Sequence, residues 1–119
     1  YPIGGHFHVP HGLSNALVLP HVLRFNAPDA AGLYAEIAPD VFPDLVSEPG
    51  SQGRCAAFID RLADLSRRLG LQTRLRDVGV GEEDLPRMAS EAMKQTRLLV
   101  NNPRELGEAD ALAIYRAAW

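Results

Sequence analysis

An all-α fold, a multi-helix bundle in one domain, is predicted by three features of this sequence. Apolar residues recur at spacings of three and four over several stretches, the period of a helix with one buried face. Most prolines and glycines fall where those stretches stop. Only residues 71–80 alternate loosely, and a piece that short is too small to found a sheet. With 119 residues, 46% of them hydrophobic and 23% charged, the chain has the size and composition of one globular domain whose core needs no staples.

Residues 12 to about 25 form the first predicted helix, buried through Leu13, Ala16, Leu17, Leu19 and Leu23. Pro20 removes one backbone donor and is expected to kink or divide it. A short second helix is predicted from 29 to about 38, capped by Asp29 and stopped before Pro39. Three prolines make 39–50 a loop with one helical turn. Ser51 is the expected N-cap of a helix whose apolar face is Cys55, Phe58, Ile59, Leu62, Leu65 and Leu69, with Gly70 as its stop. Residues 71–80 read as a connector. Asp84-Leu85-Pro86 starts another helix, with acidic residues at its positive end and proline in its first turn. Met88, Ala89, Ala92, Met93 and Thr96 carry its buried face toward Leu99, and Asn101-Asn102-Pro103 ends it. The last helix begins at Glu108, with Leu112, Tyr115 and Trp119 at helical spacing.

Twelve basic against fifteen acidic side chains give a net charge of -3, and no basic run could neutralise a phosphate backbone, so nucleic acid is excluded as the expected partner. Cys55 stands alone, which rules out an internal disulfide or a thiolate metal site and fits a reducing compartment, with the cytoplasm as the expected location. No apolar run approaches the roughly 20 residues that span a bilayer, and Tyr1-Pro2-Ile3 has neither the charged start nor the apolar middle of a signal peptide. There is no initiator Met, so the sequence is expected to be a piece of a longer protein. Gly79-Val80-Gly81 is a turn, and nothing resembles a phosphate-binding glycine loop.

Chemistry concentrates at one end. All four histidines lie within the first twenty-one residues. His6, His8 and His11 stand at i, i+2 and i+5, a spacing that on an extended loop could bring two imidazoles to one side, yet no Asp, Glu or Cys is close enough in sequence to complete a familiar ligand pattern. His11 lies between Pro10, which stiffens the backbone, and Gly12, which lets it pass close to a neighbour. Locally it reads equally as a structural histidine or as a metal ligand. His21, after Pro20 and among apolar neighbours, reads as a packed core residue, and Cys55 as a small core residue.

The run from Tyr1 to Asn26, YPIGGHFHVPHGLSNALVLPHVLRFN, resembles the second signature of the iron-containing alcohol dehydrogenases. Asn101-Asn102-Pro103-Arg104, followed by an acidic helix ending in Ala-Ala-Trp, is similar to how those enzymes finish. The resemblance implies a two-domain enzyme with a dinucleotide-binding N-terminal half, absent here, and a helical C-terminal half of which residues 1–119 are the distal part. It implies reversible hydride transfer between a small alcohol or aldehyde and NAD or NADP, with a divalent metal as Lewis acid on the substrate oxygen. Iron is the family's usual metal, and zinc also suits an imidazole and carboxylate set. One aspartate and three histidines hold that metal in the family. The last histidine, the one in Pro-His-Gly, corresponds to His11, and the other three ligands belong upstream. By itself the chain is therefore expected to be inactive.

Tyr1 occupies a position that is often histidine in the family, near the nicotinamide. A tyrosine hydroxyl, with an ordinary pKa of about 10, is a poor proton relay near neutrality, although it can donate a hydrogen bond. His6 and His8 fall where the family varies and are expected to flank the cleft. A homo-oligomer, a dimer in the simplest case, is the expected assembly. Two other readings are a helical interaction domain with structural histidines and a relative of maleylacetate reductase.

Overall fold

The computed structural model describes all 119 residues, and it contains helices and turns without a strand. The α-helices are α1 (Pro2–Phe7), α2 (His11–Val41), α3 (Ser51–Arg68), α4 (Leu85–Ala92), α5 (Thr96–Leu99) and α6 (Glu108–Ala118). Short 3-10 turns at Pro43–Ser47, Leu75–Val78 and Glu82–Asp84 join them. No helix is long and apolar enough to cross a membrane.

The spine is α2, and here the structure corrects the sequence reading. The predicted helices at 12–25 and 29–38 are one element of 31 residues that runs through Pro20, Pro28 and Pro39. An interior proline costs an isolated helix about 3 kcal/mol. Packing on both sides of α2 outweighs it, because Leu17, Pro20, Ala30, Ala35 and Ala38 are all buried. Around the first half of α2 gathers the larger core: Ile3 and Val9, then Leu75, Val80, Leu85 and Met88, then Tyr115 of α6. The far end carries a smaller one, where Ala38, Leu45 and Phe58 meet, with Phe42 edge-on to Phe58 at 6.1 Å.

Other elements also differ from expectation. Residues 2–7, to which the sequence assigned no element, are helical, since Pro2 suits a first turn and Gly5 N–H donates to the Tyr1 carbonyl at 2.9 Å. Gly50, at φ 75°, is the N-cap of α3, so Ser51 is its first residue and makes no capping bond. The buried face of α3 stops short, with Leu65 and Leu69 43% and 66% exposed, because in its last turns these two lie on a side that no element covers. The helix expected to reach Leu99 ends at Ala92, where Lys94 and Gln95 N–H groups bond three residues back, and it resumes at Thr96. The connector at 71–80 in turn supplies Leu75 and Val80 to the centre of the core. Gly79, at φ 89°, turns the chain between them.

The C-terminal helix matches its pattern. Ala111, Ile114, Tyr115 and Ala118 are buried, Leu112 and Trp119 pack against the core, and the Trp119 indole N–H donates to the Val80 carbonyl at 2.9 Å.

Candidate functional site

His11 is the first residue of α2, and its mount is rigid. Pro10 is the extended N-cap, Val9 is buried, and the Ser14 hydroxyl donates to the carbonyls of Val9 and Pro10 at 3.3 and 3.1 Å. Backbone on both sides of the imidazole's root is thus tied to the core while the ring is exposed. The Asn15 side-chain amide, one turn on, lies 3.3 Å from His11 Nε2 and donates to it when that nitrogen carries the lone pair. That bond is long and open to water, so a stronger partner for the nitrogen displaces it at little cost.

Tyr1 stands beside His11, ring centroids 6.1 Å apart. It borders two adjoining cavities. One, of about 300 Å³, is lined with Tyr1 by the segment from Lys94 through Leu98. The other, of about 230 Å³, lies among Tyr1, His6, Glu91, Lys94 and Gln95. Sequence reasoning missed this α4–α5 segment, whose residues carry no motif and meet the histidine end only through the fold.

The other histidines go elsewhere. His6, carried on α1, turns to Glu91 of α4, with Nε2 2.5 Å from the carboxylate oxygen. His8 is exposed, in the left-handed conformation (φ 54°) that ends α1. His21 is ten residues along α2 from His11, about 15 Å at 1.5 Å per residue. It is half-buried, and burial first and the Arg24 charge second hold its imidazole below the ordinary pKa. Cys55 is buried as expected, and burial pushes its thiol up.

No three histidine, cysteine, aspartate or glutamate side chains gather closely enough to hold a metal ion. The positive end of α2 also disfavours a cation beside His11. One exposed imidazole can offer a metal ion no more than a single donor. Another cavity, about 570 Å³ between α2 and α3, is lined by no histidine and is rimmed by the Arg24–Asp60 ion pair at 2.9 Å.

A sequence model described as the Fe-containing alcohol dehydrogenase family, C-terminal, matches residues 1–119. The chain belongs to this iron-containing alcohol dehydrogenase family. It is 35% identical over 119 residues to the lactaldehyde reductase of Escherichia coli (strain K12), covering 100% of this chain and 31% of that protein. It is 34% identical to the 1,3-propanediol dehydrogenase of Klebsiella pneumoniae, covering 100% of this chain and 30% of that one. A solved 1,3-propanediol oxidoreductase superposes with a TM-score of 0.91 at 34% identity, over 99% of this chain and 30% of that one. An alcohol dehydrogenase from Oenococcus oeni gives 0.90 at 26% identity, with the same coverage of 99% and 30%. The chain thus spans under a third of the relatives it matches, and its all-helical fold matches the part of the solved enzymes that it covers.

Proposed function

We propose that these residues form the distal part of the helical half of a metal-dependent, NAD(P)-linked alcohol dehydrogenase, with His11 supplying one ligand to a divalent cation, iron or zinc. One observation carries this reading. The Pro-His-Gly imidazole stands exposed on anchored backbone beside Tyr1, at the end of the fold where two cavities open.

A cation bound there supplies Lewis acidity toward the oxygen of a small alcohol or aldehyde. The chain's own residues bind and orient. His11 offers a lone pair as neutral imidazole, and Ser14 keeps the Val9–Pro10 backbone from shifting beneath it. Tyr1, near the nicotinamide, offers an aromatic wall and a hydroxyl donor. The aspartate and remaining histidines of the ligand set come from outside residues 1–119, as does the dinucleotide-binding domain.

In the full-length enzyme, His11→Ala is expected to lower bound metal and cut turnover at least about 100-fold, more than loss of a supporting partner behind a ligand would. The far-UV circular dichroism is expected to stay unchanged, since His11 is exposed and leaves the core intact. Metal analysis and steady-state kinetics check both. Full occupancy with normal turnover would remove the assignment.

A further inference from the structure

Between Ala89 and Ala111 no residue is fully buried: Ala92, Met93 and Leu106 pack partly against the core at the two ends of this stretch, and residues 94–105 between them are not part of it. They nevertheless include the wall of the cavity beside Tyr1. Between those ends, polar bonds to α2 do the holding. The Asn26 side-chain N–H donates to Asn102 Oδ1 at 2.9 Å, and the Asn102 N–H donates back to Asn26 Oδ1 at 2.7 Å. Asn102 also donates to the Arg104 carbonyl at 2.6 Å. Arg104 in turn donates to the Phe25 carbonyl at 2.7 Å and lays its guanidinium 4.2 Å from the Phe25 ring centroid. Asn26 is 2% exposed, so this reciprocal amide pair is shielded from competing water.

The same helix that mounts His11 at its start thereby grips the returning chain at Asn26, fifteen residues or about 22 Å further on. From that grip the chain reaches back through one turn, α5, to Thr96 and Leu98 at the cavity. We infer that Asn102, paired with Asn26, is a positioning residue. It acts through the α5 turn, fixing where the cavity wall stands relative to Tyr1 and His11 and so setting the fit of a small alcohol. This rests on the dehydrogenase reading above. Because residues 94–105 add nothing to the core cluster, loosening them should leave the rest of the fold standing.

The test uses the full-length enzyme carrying Asn102→Leu, with Arg104→Met as a milder variant that keeps the amide pair and loosens only the second anchor. Hydrogen exchange is followed in peptides covering residues 95–104, and kinetics are measured with a series of straight-chain primary alcohols. For Asn102→Leu, exchange at 95–104 is expected to quicken at least about tenfold while α4 and α6 keep their protection. KM for the alcohols is expected to rise about tenfold with kcat within about twofold, and metal content is expected not to change. Arg104→Met is expected to move both readouts in the same direction by less. Unchanged exchange at 95–104 overturns the clamp, whatever the kinetics. Quickened exchange with unchanged KM overturns the positioning role alone. A variant that loses metal, kcat and α6 protection together shows a general fold determinant and overturns it too. A parent enzyme that turns over no alcohol overturns the dehydrogenase reading on which the inference rests.

Discussion

Depth along a single helix separates His11 from His21. His11 is exposed at the first residue of α2, whereas His21 sits against Pro20 and Arg24 in a small recess closed by Ser66 and Thr73. With its pKa held below the ordinary 6.5, His21 binds a proton less readily folded than unfolded. Between the folded and unfolded values the unfolded chain carries more protons, so stability is full above pH 6.5 and declines as pH falls through that value. It levels off once the folded value is passed. His21→Gln is therefore expected to lose less melting temperature than the parent between pH 7.5 and pH 5.5, both measured by thermal denaturation. An equal loss in both proteins would show that His21 does not titrate differently on folding. His6 teaches a different lesson: nothing near it in sequence announces Glu91, its partner 85 residues away.

Among the elements, the short 3-10 turn at Leu75–Val78 does more than its length suggests. It delivers Leu75 and Val80, 0% and 3% exposed, to the same core, and the Val80 N–H returns to the Leu75 carbonyl at 3.2 Å. Gly79 makes this possible at φ 89°, where a side chain is strained. Gly79→Ala is expected to cost about 1–2 kcal/mol in a denaturant melt, although a Cβ there meets no neighbour within 4 Å. A neutral result would mean that the turn relaxes. Helix α2 shows the opposite balance, in which a strong local signal loses. Three prolines argue for separate helices, and burial at intervals along the whole length, from Leu17 and Pro20 to Ala35 and Ala38, keeps one.

At the scale of the whole molecule the shape is a slab, 42 × 32 × 20 Å, about two helices thick. Its radius of gyration of 14.7 Å exceeds the roughly 13.5 Å of a compact chain this long. The two cores lie apart along α2, and beyond the first of them Leu33, Ile37 and Val41 form an uncovered stripe, 63%, 46% and 50% exposed at i, i+4 and i+8. Uncovered apolar stripes promote association. The 119-residue chain alone is expected to dimerise or aggregate in a sedimentation run, and Leu33→Glu with Ile37→Lys to shift it toward monomer. A clean monomer without substitutions would show that the stripe is tolerated by itself.

Local chemistry let the sequence determine the helical class, the stop of α3 at Gly70, the start of α4 at Leu85 with Pro86 behind it, and the run of α6. These signals act within a turn or two of the residues that carry them: a fixed proline φ, a glycine free to turn left-handed, an apolar residue every three or four. The 26-residue histidine segment likewise carries its family resemblance in contiguous residues. Only tertiary structure decided that α2 is continuous, that residues 2–7 form a helix, and that Glu91 meets His6 and Asn102 meets Asn26 across 85 and 76 residues. Such pairings depend on how separate elements pack, and a short-range pattern holds no record of a partner that far along the chain.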